Sequence, residues 1–172
     1  IYKGVKAGAV GHVGAFSFQM SKNMTAGEGG IVLTDDERFL HRAFSRHTFG
    51  PRPGQDWYTP EVVSSNYRMT EWQGAILLAQ LERMDELNER RAKNARILNE
   101  AIDAIPYLKT VGASGPEAAE RVYHLFTWRY SPGLEGIPRS VFIEALKAEG
   151  IPCEPGYPMP LQKQPVFRYI EP

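Results

Sequence analysis

One lysine, Lys22, follows a short apolar run and precedes a cluster of glycines, in Phe16-Ser-Phe-Gln-Met-Ser-Lys-Asn-Met-Thr-Ala-Gly-Glu-Gly-Gly30. Glycine-rich turns let backbone N–H groups approach an anion such as phosphate. A lysine amine has a pKa of about 10.4 in water, and removal from solvent lowers it. A neutral amine held there can condense with an aldehyde to give a Schiff base. The plainer reading is a solvated lysine beside an ordinary turn between paired strands, and spacing alone favours it. Ser17 has the same two readings, an anchor for an anionic group or a strand hydroxyl satisfied by backbone.

These residues need a rigid support. Val13 to Phe18 is a short apolar run that suits a buried strand, and Gly29 to Thr34 suits a second. Gln19 to Glu28 is the polar connection between them. Asp35 and Asp36 can cap a helix running to about His47, with Leu40 and Phe44 on one face. Gly50 to Pro60 is rich in proline and glycine and reads as loop. Thr70-Glu-Trp-Gln73 fits a capping box. Met69, Trp72, Ile76, Leu77, Gln80, Leu81 and Met84 then recur at helical spacing.

Glu86 to Ile105 reads as a second, charged helix with an apolar line at Leu87, Ala95, Leu98 and Ile102. A domain boundary is therefore expected near Asp85, dividing residues 1–85 from residues 86–172. Beyond Pro106 the expected order is loop, strand (Tyr123 to Tyr130), loop, helix (Ser140 to Glu149), strand. Gly150 followed by Pro152 stops that helix. Pro155 to Pro172 reads as an extended segment.

Composition bounds the function. Twenty basic and twenty acidic side chains give zero formal net charge, which argues against nucleic-acid or anionic-membrane partners. The single cysteine, Cys153, excludes an internal disulfide and fits a cytoplasmic setting. No run is apolar for long enough to cross a bilayer as a helix. His41, His47 and His124 lack ligand spacing, so no metal site is expected. The chain opens at Ile1 and closes at Glu171-Pro172, and both ends read as cuts in a longer chain.

The lysine string closely resembles the signature of the DegT/DnrJ/EryC1/StrS family of sugar and cyclitol aminotransferases. Asn66-Tyr-Arg-Met-Thr-Glu71 and Gln73-Gly-Ala-Ile-Leu-Leu-Ala-Gln-Leu81 resemble the family's asparagine-bearing loop and following helix. Arg90-Arg91, Gly150-Ile-Pro, Gly156-Tyr-Pro and Gln164-Pro-Val-Phe167 match later segments in order. The resemblance implies an α/β fold: part of a fold-type I (aspartate aminotransferase-like) enzyme. Residues 1–85 would be the last part of its α/β/α large domain, and residues 86–172 most of its C-terminal α+β small domain.

It also implies pyridoxal 5'-phosphate (PLP) as cofactor, with Lys22 forming the Schiff base and then shuttling a proton. Ser17 would bind the cofactor phosphate. Asn66 would reach across a homodimer interface to the PLP phosphate of the other subunit. The donor would be an amino acid, glutamate or glutamine, and the acceptor a keto-sugar or keto-cyclitol. Arg68 is a weaker candidate for anionic groups. Glu28 either orients the lysine loop or caps a turn. Trp57 and Tyr58 line the substrate entrance or, as slightly preferred, cover the partner subunit.

Two departures stand out: His12, where the family often has an acidic residue, and Gln162, where many sugar-nucleotide members have histidine. The Met24 to Gly30 string and the Gly156-Tyr-Pro segment lean toward the cyclitol branch. Two other readings compete. A PLP-dependent sugar dehydratase usually has histidine in place of Lys22, which counts against it. A truncated, non-catalytic or regulatory relative is the other. The isolated piece is expected not to transaminate alone, and an exposed sheet edge would make it poorly soluble or make it associate.

Overall fold

The computed structural model describes residues 1, 3–56, 58–112, 121–133 and 136–167. The chain forms two compact units, one of residues 1–100 with 112–127, the other of residues 101–111 with 128–172. The reading of Trp57 falls outside the described residues.

In the first unit, β1 (Gly14–Ser17) pairs antiparallel with β2 (Gly30–Leu33), from Gly14 opposite Leu33 to Ser17 opposite Gly30. Both strands lie inside the expected apolar runs, but apart from Gly14 their residues are exposed rather than buried as expected. A Cβ on Gly14 would stand 2.1 Å from the Gly8 carbonyl oxygen, so only glycine admits that close backbone approach.

Helix α1 (Glu37–His47) begins at Asp36, whose carboxylate accepts from the Arg38 N–H at 2.8 Å. Of the two candidate caps, it is Asp36 that serves. The Arg38 guanidinium also donates to that carboxylate, at 2.7 Å, and holds its pKa below the ordinary 3.8. After α1 the chain returns along the helix end. Phe49 N–H donates to the Ser65 carbonyl, Tyr67 N–H donates to the His47 carbonyl, and Thr48 bridges to Asn66.

Helix α2 (Glu71–Leu81) starts on the expected capping box, with Thr70 and Gln73 bonded reciprocally. Helix α3 (Met84–Asp103) follows after a break at Glu82 and Arg83, two residues earlier than the expected Glu86 start. Ala95, on its predicted apolar line, is buried. Among the described residues no helix is long and apolar enough to cross a membrane.

In the second unit, β3 (Leu108–Thr110) pairs antiparallel with β4 (Trp128–Tyr130). Asp103 ties β3 to the end of α3 by accepting from the N–H and the hydroxyl of Thr110, both at 3.0 Å. Helix α4 (Arg139–Ala148) packs Phe142 against β4, with Tyr130 stacked at 4.5 Å and Trp128 edge-on at 5.8 Å. It ends in a Schellman motif: Gly150 N–H donates to the Lys147 carbonyl, Ile151 N–H to the Leu146 carbonyl, and Gly150 has φ +80°.

Four expectations need correction. The expected strand Tyr123–Tyr130 is reduced to Trp128–Tyr130, because Tyr123 has φ +44°, which strand geometry does not admit. Its partner β3 lies in a stretch expected to be loop. No strand follows Gly150 among the described residues, and the tail contains two 3₁₀ turns, Leu161–Lys163 and Pro165–Phe167, where an extended segment was expected.

Candidate active site

The connection from β1 to β2 is a built structure. Phe18, just beyond β1, is buried, and its N–H donates to the Gly29 carbonyl at 2.8 Å. Its own carbonyl accepts from the Ala26 N–H at 2.9 Å and the Thr25 hydroxyl at 3.0 Å. Residues 19–24 therefore stand out as a closed loop with Phe18 and Thr25 at its neck.

Inside that loop, Gln19 joins the two candidate groups. Its N–H donates to Ser17 Oγ at 3.2 Å, and its carbonyl accepts from the Lys22 N–H at 2.9 Å. Its side-chain oxygen accepts from Ser21 N–H and Oγ, at 2.8 and 2.7 Å. Ser17 and Lys22 thus belong to one turn. Gln19 had no place among the sequence candidates.

Helix α2 holds the neck from outside. The Gln80 amide meets both backbone groups of Thr25, donating to its carbonyl at 2.7 Å and accepting from its N–H at 3.0 Å. Gln73 donates to the Glu28 carbonyl at 2.9 Å, while its oxygen accepts from the Thr70 N–H at 2.8 Å. Gln73, Leu77 and Gln80 lie four and three residues apart, one stripe of a helix. Leu77 is buried between the two glutamines. At Gly29, with φ +137°, a Cβ would lie 3.2 Å from the Met69 sulfur. It is the backbone of Glu28 that meets α2. The sequence pointed to this face only through Leu77 and Gln80; Trp72 and Leu81, read on the same line, are 84% and 58% exposed.

Lys22 is half-buried. Its Nζ lies 3.4 Å from Nε2 of His124, and the neighbouring Asn23 side chain donates to the Val122 carbonyl at 2.9 Å. Among the described residues no carboxylate pairs with Lys22. Asn66 sits elsewhere, beside the end of α1. Its oxygen accepts from the N–H and Nε of Arg68, at 3.3 and 2.9 Å, and the Arg68 guanidinium lies 5.2 Å from the Phe49 ring centre. Arg68 therefore orients Asn66. The structure joins Ser17 to Lys22 and leaves Asn66 on a separate segment.

The turn suits a phosphorylated aldehyde. It offers an amine with no anionic partner among the described residues and, one turn back, an exposed serine hydroxyl that accepts a hydrogen bond through oxygen and keeps its own proton to donate.

The profile of the DegT/DnrJ/EryC1/StrS aminotransferase family matches residues 1–171. The chain is 36% identical over 167 residues to an L-glutamine:2-deoxy-scyllo-inosose aminotransferase of Streptomyces paromomycinus, covering 91% of this chain and 39% of that protein. Among solved structures, S. venezuelae DesV superposes with TM-score 0.82 at 31% identity, covering 99% of this chain and 43% of that one. An E. coli GDP-4-keto-6-deoxy-D-mannose-3-dehydratase with bound hydrated PLP gives TM-score 0.79 at 26% identity, covering 90% and 43%. The chain spans between 39% and 41% of the length of the curated relatives it matches. These likenesses bear out the α/β class expected from the sequence, a portion of the fold-type I architecture.

Proposed function

Since the chain belongs to the DegT/DnrJ/EryC1/StrS aminotransferase family, we propose that it is the part of a PLP-dependent aminotransferase that carries the cofactor lysine, Lys22. The observation that carries this reading is the shared Ser17–Lys22 turn, with a half-buried amine that no carboxylate among the described residues pairs with. The whole enzyme moves an amino group from glutamine or glutamate to a keto-sugar or keto-cyclitol. The cyclitol acceptor and glutamine donor are favoured by the name of the Streptomyces paromomycinus relative. The enzyme works as a homodimer in the cytoplasm.

When bound, PLP supplies an electron sink for the carbon that gains or loses the amino group. The protein supplies placement. Ser17, at the end of β1, donates its hydroxyl proton to the phosphate from a rigid element. Lys22 would provide the amine that holds the cofactor's aldehyde and would move a proton at the donor's α-carbon. Asn66, oriented by Arg68, offers its amide N–H groups to the phosphate held by the partner subunit. Residues 1–85 belong to the large domain and residues 86–172 to the small one. The enzyme needs the rest of its chain to turn over.

The test is chemical. The complete protein is mixed with PLP, reduced with borohydride, digested and analysed by mass spectrometry. A pyridoxyl phosphate group on the Lys22 peptide, absent in Lys22→Ala, is the expected result. Attachment elsewhere, or none, overturns the reading.

A further inference from the structure

Nothing about the sequence spacing connects His124 with Lys22; they stand 102 residues apart and meet at 3.4 Å. The meeting has its own supports. Asn23, next to Lys22, grips the Val122 carbonyl, two residues before His124. The two adjacent loop residues 22 and 23 thus engage two points of one crossing segment. Between those points Tyr123 has φ +44°, a conformation that is rare outside glycine and costs free energy. That twist interrupts the strand expected there. The Arg121 guanidinium lies 4.8 Å from the Tyr123 ring centre, and the Phe126 ring lies 6.1 Å away, so the twisted residue is itself packed. A backbone held out of strand geometry at the residue before His124 directs that imidazole toward the amine.

We infer that His124 is a positioning residue for the Lys22 amine. The inference rests on the reading of Lys22 as the PLP-bonding amine. In its neutral form the ring accepts an N–H of Lys22 at Nε2, which leaves its own proton on Nδ1. Lysine carries four rotatable side-chain bonds, and one fixed acceptor restricts where its nitrogen dwells. An amine held near the place of attack reacts faster than one sweeping through solvent. A neutral acceptor does this without the ion pair that a carboxylate would form.

Two measurements on the complete protein test it. The first needs no cofactor. Lys22 is acetylated with limiting acetic anhydride, and its labelling relative to exposed lysines is read by mass spectrometry. His124→Leu, which keeps bulk and loses the acceptor, should raise relative labelling roughly threefold as the amine is released to solvent, while His124→Gln, which keeps an acceptor, should stay near the wild-type value. Equal labelling in all three proteins overturns the contact. The second follows the rate at which PLP becomes borohydride-trapped at Lys22. His124→Leu should slow it by up to roughly tenfold, the scale of one intramolecular hydrogen bond, and His124→Gln should recover most of the loss. A merely structural ring would be missed equally in both variants, and that outcome overturns the positioning role. If wild-type protein labels as expected with acetic anhydride but never traps PLP at Lys22, the proposed function fails while the contact stands.

Discussion

Gln80→Leu isolates the contribution of helix α2 to the lysine loop. Leucine is similar in length and favours helix as well as glutamine does, so α2 itself should persist. What disappears is the amide that donates to the Thr25 carbonyl at 2.7 Å and accepts from its N–H at 3.0 Å. A typical intramolecular hydrogen bond contributes about 0.5–1.5 kcal/mol net, and leaving a buried group unpaired costs about 1–3 kcal/mol. Thr25 and Gln80 are only half-buried, so water recovers part of that cost. The expected loss is about 2 kcal/mol for the pair. Urea unfolding of the complete protein should show a lower midpoint with an unchanged slope. The Thr25 amide should also exchange with solvent faster in native conditions. Gln80→Glu sharpens the test: its carboxylate can accept from the Thr25 N–H but faces the Thr25 carbonyl with a charge. It should be at least as damaging as leucine near neutral pH and should improve in acid, where the protonated acid can donate. An unchanged urea midpoint in Gln80→Leu, with unchanged exchange at Thr25, would show that α2 does not hold the loop.

Two further changes are expected elsewhere. Gly14→Ala puts a methyl group 2.1 Å from the Gly8 carbonyl oxygen, so the backbone must shift, and a loss of about 1–3 kcal/mol should appear in thermal or urea unfolding; wild-type stability would contradict the close approach. Asp103 titrates below its ordinary 3.8 in the folded state, because the Thr110 N–H and then its hydroxyl donate to the carboxylate. A depressed folded value means that the stabilisation is complete above the unfolded value and is lost as pH falls through the folded one. Unfolding monitored below pH 3.8 should therefore show a shallower acid loss in Asp103→Asn than in wild type, and identical acid limbs would refute the link.

The features legible in the sequence are those written locally. The capping box at Thr70 and Gln73, the cap at Asp36 and the stop at Gly150 each depend on residues within a few positions, and all three form where expected. The lysine loop was legible as a string of residue types. Its supports were not. Gln80 meets Thr25 across 55 residues and His124 meets Lys22 across 102, and no periodicity encodes such a pairing. Gln80 lay on the expected face of α2, but nothing in the sequence said which loop that face would meet. Strand β3, three residues long, is too short to show an alternation. The strand expected from Tyr123 fails for a tertiary reason: the segment is drawn to Asn23 and twisted at Tyr123 before it can pair.

Gln73 has one further consequence. The first turn of a helix commonly frays on its own, opening and closing with little effect on the remainder. Here that turn cannot open by itself, because the amide that completes it also grips the Glu28 carbonyl among the glycines. Unwinding at Thr70 and loosening at Glu28 become a single event. An anion that steadies the glycine segment should therefore quiet the start of α2 without touching it, and a solvent that unravels that start should let the anion go.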